Sequence, residues 1–167
     1  MNDKEIYYWI TSTPLAWYMR QDQWAFSICE TIHFFGLCLL LGGVLVIDLR
    51  LLGLMKRTPV AAVLKFAPVA IFGFGLNLLT GICFLSYNPE GYATNWMFWL
   101  KMGLVLLAGL NMLFFTIVEQ PRVLKAPIGE SYGPVTRICA ILSLTLWVAV
   151  IVAGRLLPVT QGAAGKG

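Results

Sequence analysis

The sequence predicts an all-α integral membrane protein, a four-helix bundle preceded by an N-terminal amphipathic interfacial helix. Of its 167 residues, 59% are hydrophobic and only 12% are charged, whereas soluble domains are about a quarter charged. Four long apolar stretches dominate the chain, at about residues 24–54, 66–87, 96–118 and 137–157. As helices rising about 1.5 Å per residue, each can cross a hydrocarbon layer of about 30 Å.

The segments that flank this bundle (24–157) are predicted to lie outside the hydrocarbon layer. Residues 1–23, MNDKEIYYWITSTPLAWYMRQDQ, lack the pattern of a signal peptide and read as one or two amphipathic pieces broken at Pro14. Aromatic rings favour the headgroup level, and this segment carries Tyr7, Tyr8, Trp9, Trp17 and Tyr18. Residues 158–167 are expected to form a flexible tail.

The basic residues predict an orientation in a bacterial inner membrane. Seven of the twelve lie at 50–65 and 122–137, two segments that share one side of the layer, and five lie on the other side. The positive-inside rule then places these segments in the cytoplasm and both termini in the periplasm. We therefore expect the partners to be the lipid bilayer and either further copies of the chain or a larger membrane complex, and not nucleic acid.

Charged residues recur at an interval of 18 in three of the four stretches. The pairs are Glu30 and Asp48, Lys101 and Glu119, and Arg137 and Arg155. Eighteen residues make five helical turns, so the members of each pair share a face about 27 Å apart and mark the two interfaces. This spacing predicts an ion pair between Glu30 and Lys101 at the outer interface. At the inner interface it predicts one between Glu119 and Arg50.

Polar residues nearer the middle of the layer are Asn77, Thr80 and Asn111. Such side chains usually hydrogen-bond across helices, each bond contributing about 0.6 to 2 kcal/mol. Interhelical hydrogen bonding is therefore the expected role of the two asparagines, and a polar lining for a substrate path is the alternative.

His33 is the only histidine in the chain and lies one turn deeper than Glu30. It shares a helical face with Gly36 and Gly43, two small residues that permit close approach of a neighbouring helix or a flat ligand. An ionisable residue within a membrane helix is a functional candidate. The alternative is a neutral histidine that bonds a backbone carbonyl or Glu30.

Two cofactors fit this position. A histidine followed by Gly36 could hold b-type haem, with Met102 or a second subunit supplying the other axial ligand. Alternatively, Cys29 and Cys83 lie at the level of His33, and soft sulfur with imidazole suits copper(I). The cysteines form no CxxC pair, so the alternative for each is packing as a small apolar residue.

The sequence has no phosphate-binding glycine loop, no H-E-x-x-H and no Ser-His-Asp set at one depth. The sequence therefore does not predict a hydrolase or kinase, and we do not expect the chain to be an enzyme on its own. The leading hypothesis is an electron-transfer protein or subunit that binds haem b. The alternatives are a non-catalytic structural or accessory subunit, and a copper-handling or small-solute transport protein.

Two stretches, ETIHFFGLCLLLGGVLVIDLRLLG and LKMGLVLLAGLNMLFF, resemble an uncharacterised family of small four-helix bacterial inner-membrane proteins. The family pattern is Glu-x-x-His-x-x-Gly followed by Asp-x-Arg-x-x-Gly. Its positions here are Glu30, His33, Gly36, Asp48, Arg50 and Gly53. The resemblance covers most of the chain. A more distant similarity to copper-resistance and b-type cytochrome membrane proteins implies haem or copper at His33.

Overall fold

The structure, a computed structural model, describes residues 2–127 and 129–164, with side chains through residue 160. This part of the chain contains no strand, which confirms the all-α prediction. The α-helices are α1 (Asp3–Thr11), α2 (Pro14–Gln21), α3 (Ala25–Leu52), α4 (Val60–Val63), α5 (Ala67–Tyr87), α6 (Pro89–Ala93), α7 (Trp96–Phe114), α8 (Gln120–Lys125) and α9 (Pro134–Ala164). A 3-10 turn joins α4 to α5, and a π-helical turn joins α7 to α8.

Four helical stretches are long and apolar enough to cross a membrane, as predicted. They are Ala25–Leu52, Val60–Tyr87, Trp96–Lys125 and Pro134–Thr160. The second, third and fourth are longer than predicted, because a charged residue marks the edge of the oily layer without interrupting backbone hydrogen bonding. The helices end at backbone breakers instead: α3 stops at Gly53, whose φ of 95° is left-handed, and α8 stops just before Pro127.

Two segments outside the predicted bundle are more ordered than the sequence predicted: α2 packs against the bundle, and the predicted tail is partly helical. The predicted break at Pro14 is confirmed, since Thr13 caps α2 by accepting a hydrogen bond from the Ala16 amide at 3.3 Å. Residues Ala16 and Met19 of α2 are buried, and α2 packs on α5. At the other end, α9 continues to Ala164, so residues 158–164 of the predicted flexible tail are helical. Residues 165–167 lie outside the described part.

Glycines bring α3 and α5 into the closest contact in the bundle. A Cβ atom added to Gly73 would lie 2.6 Å from the Gly36 carbonyl oxygen and 2.6 Å from the Leu40 amide nitrogen. Gly43, two turns along α3 from Gly36, meets Ala70 of α5 in the same way. The face of α3 that carries His33 is therefore covered by a neighbouring helix, which was one of the two arrangements left open by the sequence.

The other main helix contacts are α7 with α9 and α3 with α9. The membrane helices thus lie in the spatial order α5, α3, α9, α7, with the outer two helices on either side of a central gap. The rings of Phe74 on α5 and Trp147 on α9 meet edge to face across this gap, with centroids 6.4 Å apart. We call the end that carries α1 and α2 the terminal end, and the end that carries residues 53–59, 126–127 and 129–133 the basic-loop end.

Asn95 joins the start of α7 to the end of α9. Its Oδ1 accepts from the Met97 amide at 2.9 Å and so caps α7. Its Nδ2 donates to the Leu157 carbonyl at 3.1 Å and to the Thr160 hydroxyl at 2.9 Å. The side chain is buried, so these bonds replace water entirely.

We expect Asn95→Ala to lower the free energy of unfolding by about 2 kcal/mol, because it removes a cap and leaves buried partners unpaired. Asn88→Ala is the matched control: Asn88 caps α6 at an exposed position, so the expected loss is about 0.5 kcal/mol. Thermal unfolding of the detergent-solubilised variants measures the difference. Equal losses in the two variants would show that the link to α9 contributes nothing.

Candidate functional site

His33 is held by α5 through a single hydrogen bond. Its Nδ1 lies 2.7 Å from the Thr80 hydroxyl oxygen, and its ring meets Phe84 edge to face. The Thr80 hydroxyl directs its own proton to the Leu76 carbonyl at 2.7 Å. Because a hydroxyl has one proton, the tautomer that satisfies both contacts is the one in which the histidine Nδ1–H donates to Thr80. In this tautomer Nε2 carries a lone pair, for which the described residues provide no hydrogen-bond partner.

The space in front of Gly36 does not accommodate a porphyrin. A Cβ atom at Gly36 would lie 2.7 Å from the Asn77 amide nitrogen and 2.9 Å from the Gly73 carbonyl oxygen. Helix α5 therefore fills the position that the sequence left open for a flat ligand. Met102, the predicted second axial ligand, is 37% exposed. A haem within one chain does not fit beside Gly36, so an iron at His33 would have to approach Nε2 from another direction.

The structure brings two of the three predicted copper ligands together. The Cys29 and Cys83 thiols face each other across the α3–α5 boundary, and the Cys29 sulfur lies 3.7 Å from the Thr80 carbonyl. His33 does not complete the set, because its Nδ1 is bonded to Thr80 one turn deeper. Within residues 2–127 and 129–164, no three His, Cys, Asp or Glu side chains could share a metal ion.

Neither predicted ion pair is present among the described residues. Glu119 is 4% exposed and pairs instead with Arg122, whose Nη1 donates to Oε1 at 2.7 Å. The other carboxylate oxygen accepts from the Thr136 hydroxyl at 2.5 Å. The π-helical turn that ends at Glu119, and the packing of α7 on α9 rather than on α3, account for these partners.

Arg50 has a different environment from the one expected of an interfacial cation. It is 1% exposed, its Nε donates to the Thr58 carbonyl at 2.6 Å, and its guanidinium lies 4.8 Å from the centroid of the Tyr132 ring. Nη1 is buried and unpaired within the described residues. Arg50 therefore joins the end of α3 to the two connections at the basic-loop end, rather than pairing with a membrane helix.

At the terminal end, Glu30 and Lys101 are also apart. Glu30 is exposed, whereas the Lys101 side chain lies along α9, with Nζ 3.5 Å from where a Gly154 Cβ would be. The carboxylate of Glu30 instead influences the ionisation of Tyr92 on α6. Burial raises the pKa of the Tyr92 phenol above its ordinary value of 10.0, and the charges of Glu30 and Cys29 raise it further.

Tyr92 is therefore expected to ionise at a higher pH than a free tyrosine. Because its pKa is raised by folding, its contribution to stability is present below the unfolded-state value and is lost as the pH rises through the folded-state value. NMR of tyrosine-labelled protein, assigned with Tyr92→Phe, measures this titration. Glu30→Gln should lower the pKa of Tyr92. An unchanged pKa in Glu30→Gln would contradict the assigned cause.

A mostly apolar cavity of about 160 Å³ lies inside the bundle toward the basic-loop end. All four membrane helices line it, and most of the lining is apolar. Its polar side chains are Asp48, Asn111, Thr116, Gln120 and Ser143. The lining residues of α3 and α9 are mostly buried, whereas Ile71 of α5 and Met112 of α7 are 55% and 44% exposed. The cavity therefore opens sideways between α5 and α7, toward the lipid.

Asp48 is the acidic residue of this lining. Only 5% of it is exposed, and its Oδ2 is buried without a hydrogen-bond partner among the described residues. Ser143 of α9 faces the carboxyl group. The sequence predicted Asp48 as an interfacial residue that reaches water, and this was wrong because α9 covers that face of α3. An unpaired carboxylate oxygen in a low-dielectric cavity is costly, which marks the position as a candidate site.

The two asparagines near mid-membrane behave differently from each other. Asn111 donates to the Cys139 carbonyl at 3.0 Å and so joins α7 to α9, which confirms the predicted interhelical bond. Asn77 donates to the Gly73 carbonyl of its own helix at 2.9 Å, and its Oδ1 is buried and unpaired in the described part. The interhelical prediction for Asn77 was therefore wrong. The close approach of α3 at Gly36 leaves its amide only the space along α5.

Four apolar helices with a partly polar interior define a multi-pass membrane protein. The chain belongs to DUF6644, a family of unknown function whose profile matches residues 11–160. This confirms the predicted membership of an uncharacterised family. No curated protein and no solved structure matches the chain. The similarity to copper-resistance and b-type cytochrome proteins stays a prediction.

Proposed function

We propose that this membrane protein binds a small, largely apolar molecule that reaches the Asp48 cavity from the bilayer. The observation that carries the proposal is a buried, unpaired carboxylate oxygen at the wall of a cavity lined by all four membrane helices. Binding sites are typically concave and apolar, with a few convergent polar groups. Such a role agrees with the small-solute transport alternative, and it requires no catalytic set.

The size of the cavity limits the ligand. An engineered apolar cavity of about 150 Å³ in another protein holds one benzene molecule. The volume here is about 160 Å³ and is continuous with the lipid-facing gap between α5 and α7. A molecule with one aromatic ring or a short alkyl chain, and one polar group for Asp48 or Ser143, fits these dimensions.

Gly109 allows a direct test of this site. It lines the cavity on α7, and a Cβ atom added there would contact nothing within 4 Å. A leucine at this position should therefore occupy the mouth of the cavity without disturbing the bundle. Gly103 is equally open and lies on the same helix, but it does not line the cavity, so Gly103→Leu is the matched control.

We expect calorimetry with benzyl alcohol to show saturable binding of one molecule per chain in detergent, after subtraction of a micelle blank. Gly109→Leu should weaken this binding at least tenfold, and Gly103→Leu should leave it unchanged. Absence of saturable binding in the wild type, or equal effects of the two substitutions, would refute the site. In that case a structural or accessory subunit would be the better description.

The haem function predicted from His33 is a second proposal, supported by the tautomer of that ring. Histidines that bind metals usually donate their other ring N–H to an acceptor, and the Thr80 hydroxyl fills that role here. With one histidine per chain, His33 Nε2 from each of two subunits would hold the haem iron, and the group would supply one-electron transfer chemistry.

An absorption spectrum of protein purified from haem-replete cells tests this proposal. A Soret band that disappears in His33→Ala and remains in Glu30→Ala would support it. A colourless, folded wild-type protein would exclude it.

A further inference from the structure

We propose that the Asp48 cavity takes an organic monocation and exchanges it for the proton of the Asp48 carboxyl group. This inference rests on the proposed function, because it names the chemical class of molecule that the same cavity binds. It depends on the charges around Asp48, on the acceptors in the cavity wall, and on the route from the lipid.

The described lining of the cavity provides no positive charge to balance an ionised Asp48. This described lining contains no lysine, arginine or histidine, and Oδ2 of Asp48 receives no hydrogen bond from the described residues. An ionised carboxylate in a low-dielectric site is stabilised by a counter-charge and strongly destabilised without one. The empty site therefore holds a proton on Asp48, and a bound cation replaces that proton.

The charged and titratable groups around Asp48 do not provide this counter-charge. Arg50, on the same helix, donates to the Thr58 carbonyl and forms no ion pair with Asp48. From the third membrane helix, Glu119 is negative and is already bonded. From α9, Cys139 lies within electrostatic range of both carboxylates and carries no positive charge. No titratable residue of α5 lines the cavity in the described part.

The cavity wall also offers acceptors suited to an ammonium group, which has three N–H donors. Besides Asp48, the Ser143 hydroxyl oxygen lines the cavity. Asn111 has its amide N–H bonded to the Cys139 carbonyl, which leaves its amide oxygen as a third acceptor. Apart from Thr116 and Gln120, the remaining wall is mostly apolar and matches a ring or alkyl group. An arylalkylammonium ion of about benzene size combines these two requirements.

The exchange is balanced without any redox step. The ammonium ion enters with one positive charge, the O–H bond of the Asp48 carboxyl group breaks, and one proton leaves to water. The net charge within the cavity does not change. Asp48 is four residues from the end of α3, about 6 Å from the basic-loop end, so the proton has a short path to the solution.

Calorimetry with benzylammonium between pH 5 and pH 9 tests the exchange on the wild-type protein. Titrations in two buffers of different ionisation enthalpy give the number of protons released. We expect about one proton per bound cation, and an affinity that rises by up to about tenfold per pH unit while Asp48 is protonated in the empty site. Binding without proton release, or an affinity independent of pH, would overturn the proposal. This measurement requires no variant.

Asp48→Asn separates the cation from a neutral ligand of similar shape. The variant should lose benzylammonium binding at least tenfold and keep benzyl alcohol binding within about threefold. Glu30→Gln changes an exposed carboxyl group at the other end of α3, so it is the control and should behave as the wild type.

Wild-type affinity for benzylammonium in Asp48→Asn would overturn the proposal. Binding of benzyl alcohol alone by the wild type would overturn the exchange but retain the cavity as a site, and binding of neither probe would refute both.

Discussion

Gly73→Ala is expected to lower the free energy of unfolding by about 3 kcal/mol. The added Cβ would lie 2.6 Å from backbone atoms of Gly36 and Leu40, and 2.9 Å from the Leu39 Cβ. Backbone atoms cannot rotate away as a flexible side chain can. Helices α3 and α5 would therefore have to separate along their main contact.

Gly75→Ala is the matched control. Gly75 lies on the same helix as Gly73, and a Cβ atom added there would have no neighbour within 4 Å. Alanine is a better helix former than glycine by up to about 1 kcal/mol, so this variant should be neutral or slightly stabilised. Thermal unfolding in detergent measures the stability of Gly73→Ala and Gly75→Ala, and loss of monodispersity on heating is the signal that reports unfolding. Similar stability of the two variants would show that α3 and α5 can move apart freely.

Glu119→Ala is expected to cost about 2 to 3 kcal/mol at the basic-loop end. The substitution leaves the Thr136 hydroxyl, which is 3% exposed, without the acceptor that it contacts at 2.5 Å. The pair with Arg122 contributes less, because the Arg122 side chain is 69% exposed and its charge is screened by water. The loss should therefore come mainly from the buried hydroxyl.

Two further substitutions separate these contributions. Arg122→Ala should cost less than about 1 kcal/mol, whereas Thr136→Val should cost about 1.5 kcal/mol. Glu130→Ala is the control for loss of an acidic residue at this end, since Glu130 is exposed. Denaturation in the same detergent ranks the four variants. A larger effect of Arg122→Ala than of Thr136→Val would contradict the assignment.

Hydropathy predicted the membrane helices well because it depends on local composition alone. The 18-residue spacing of charges did not identify the partners of the charged residues. Helical periodicity says which residues share a face of one helix; it does not say which helix covers that face. Glu119 therefore pairs with Arg122 three residues on, and Lys101 lies along α9, although the same spacing had predicted pairs with Arg50 and Glu30.

His33 and Asp48 also show that a sequence identifies a residue of interest but not the helix that contacts it. His33 was recognisable as the only imidazole in the chain, yet its partner Thr80 is 47 residues away on another helix. Asp48 looked like any interfacial carboxylate, and only its burial beside α9 made it a candidate site. The one available sequence signal was its position in the Asp-x-Arg-x-x-Gly pattern.

The sequence by itself determined that this protein is an all-helical membrane protein with four spans and a broken N-terminal helix. Length, hydropathy and proline positions are properties of a single segment, and the bilayer requires each segment to satisfy its own backbone. Only the tertiary structure decided that Gly36 contacts a helix, that Asp48 is buried, and that a cavity opens between α5 and α7. These features depend on which helices become neighbours, and that choice is made by packing between residues distant in the chain.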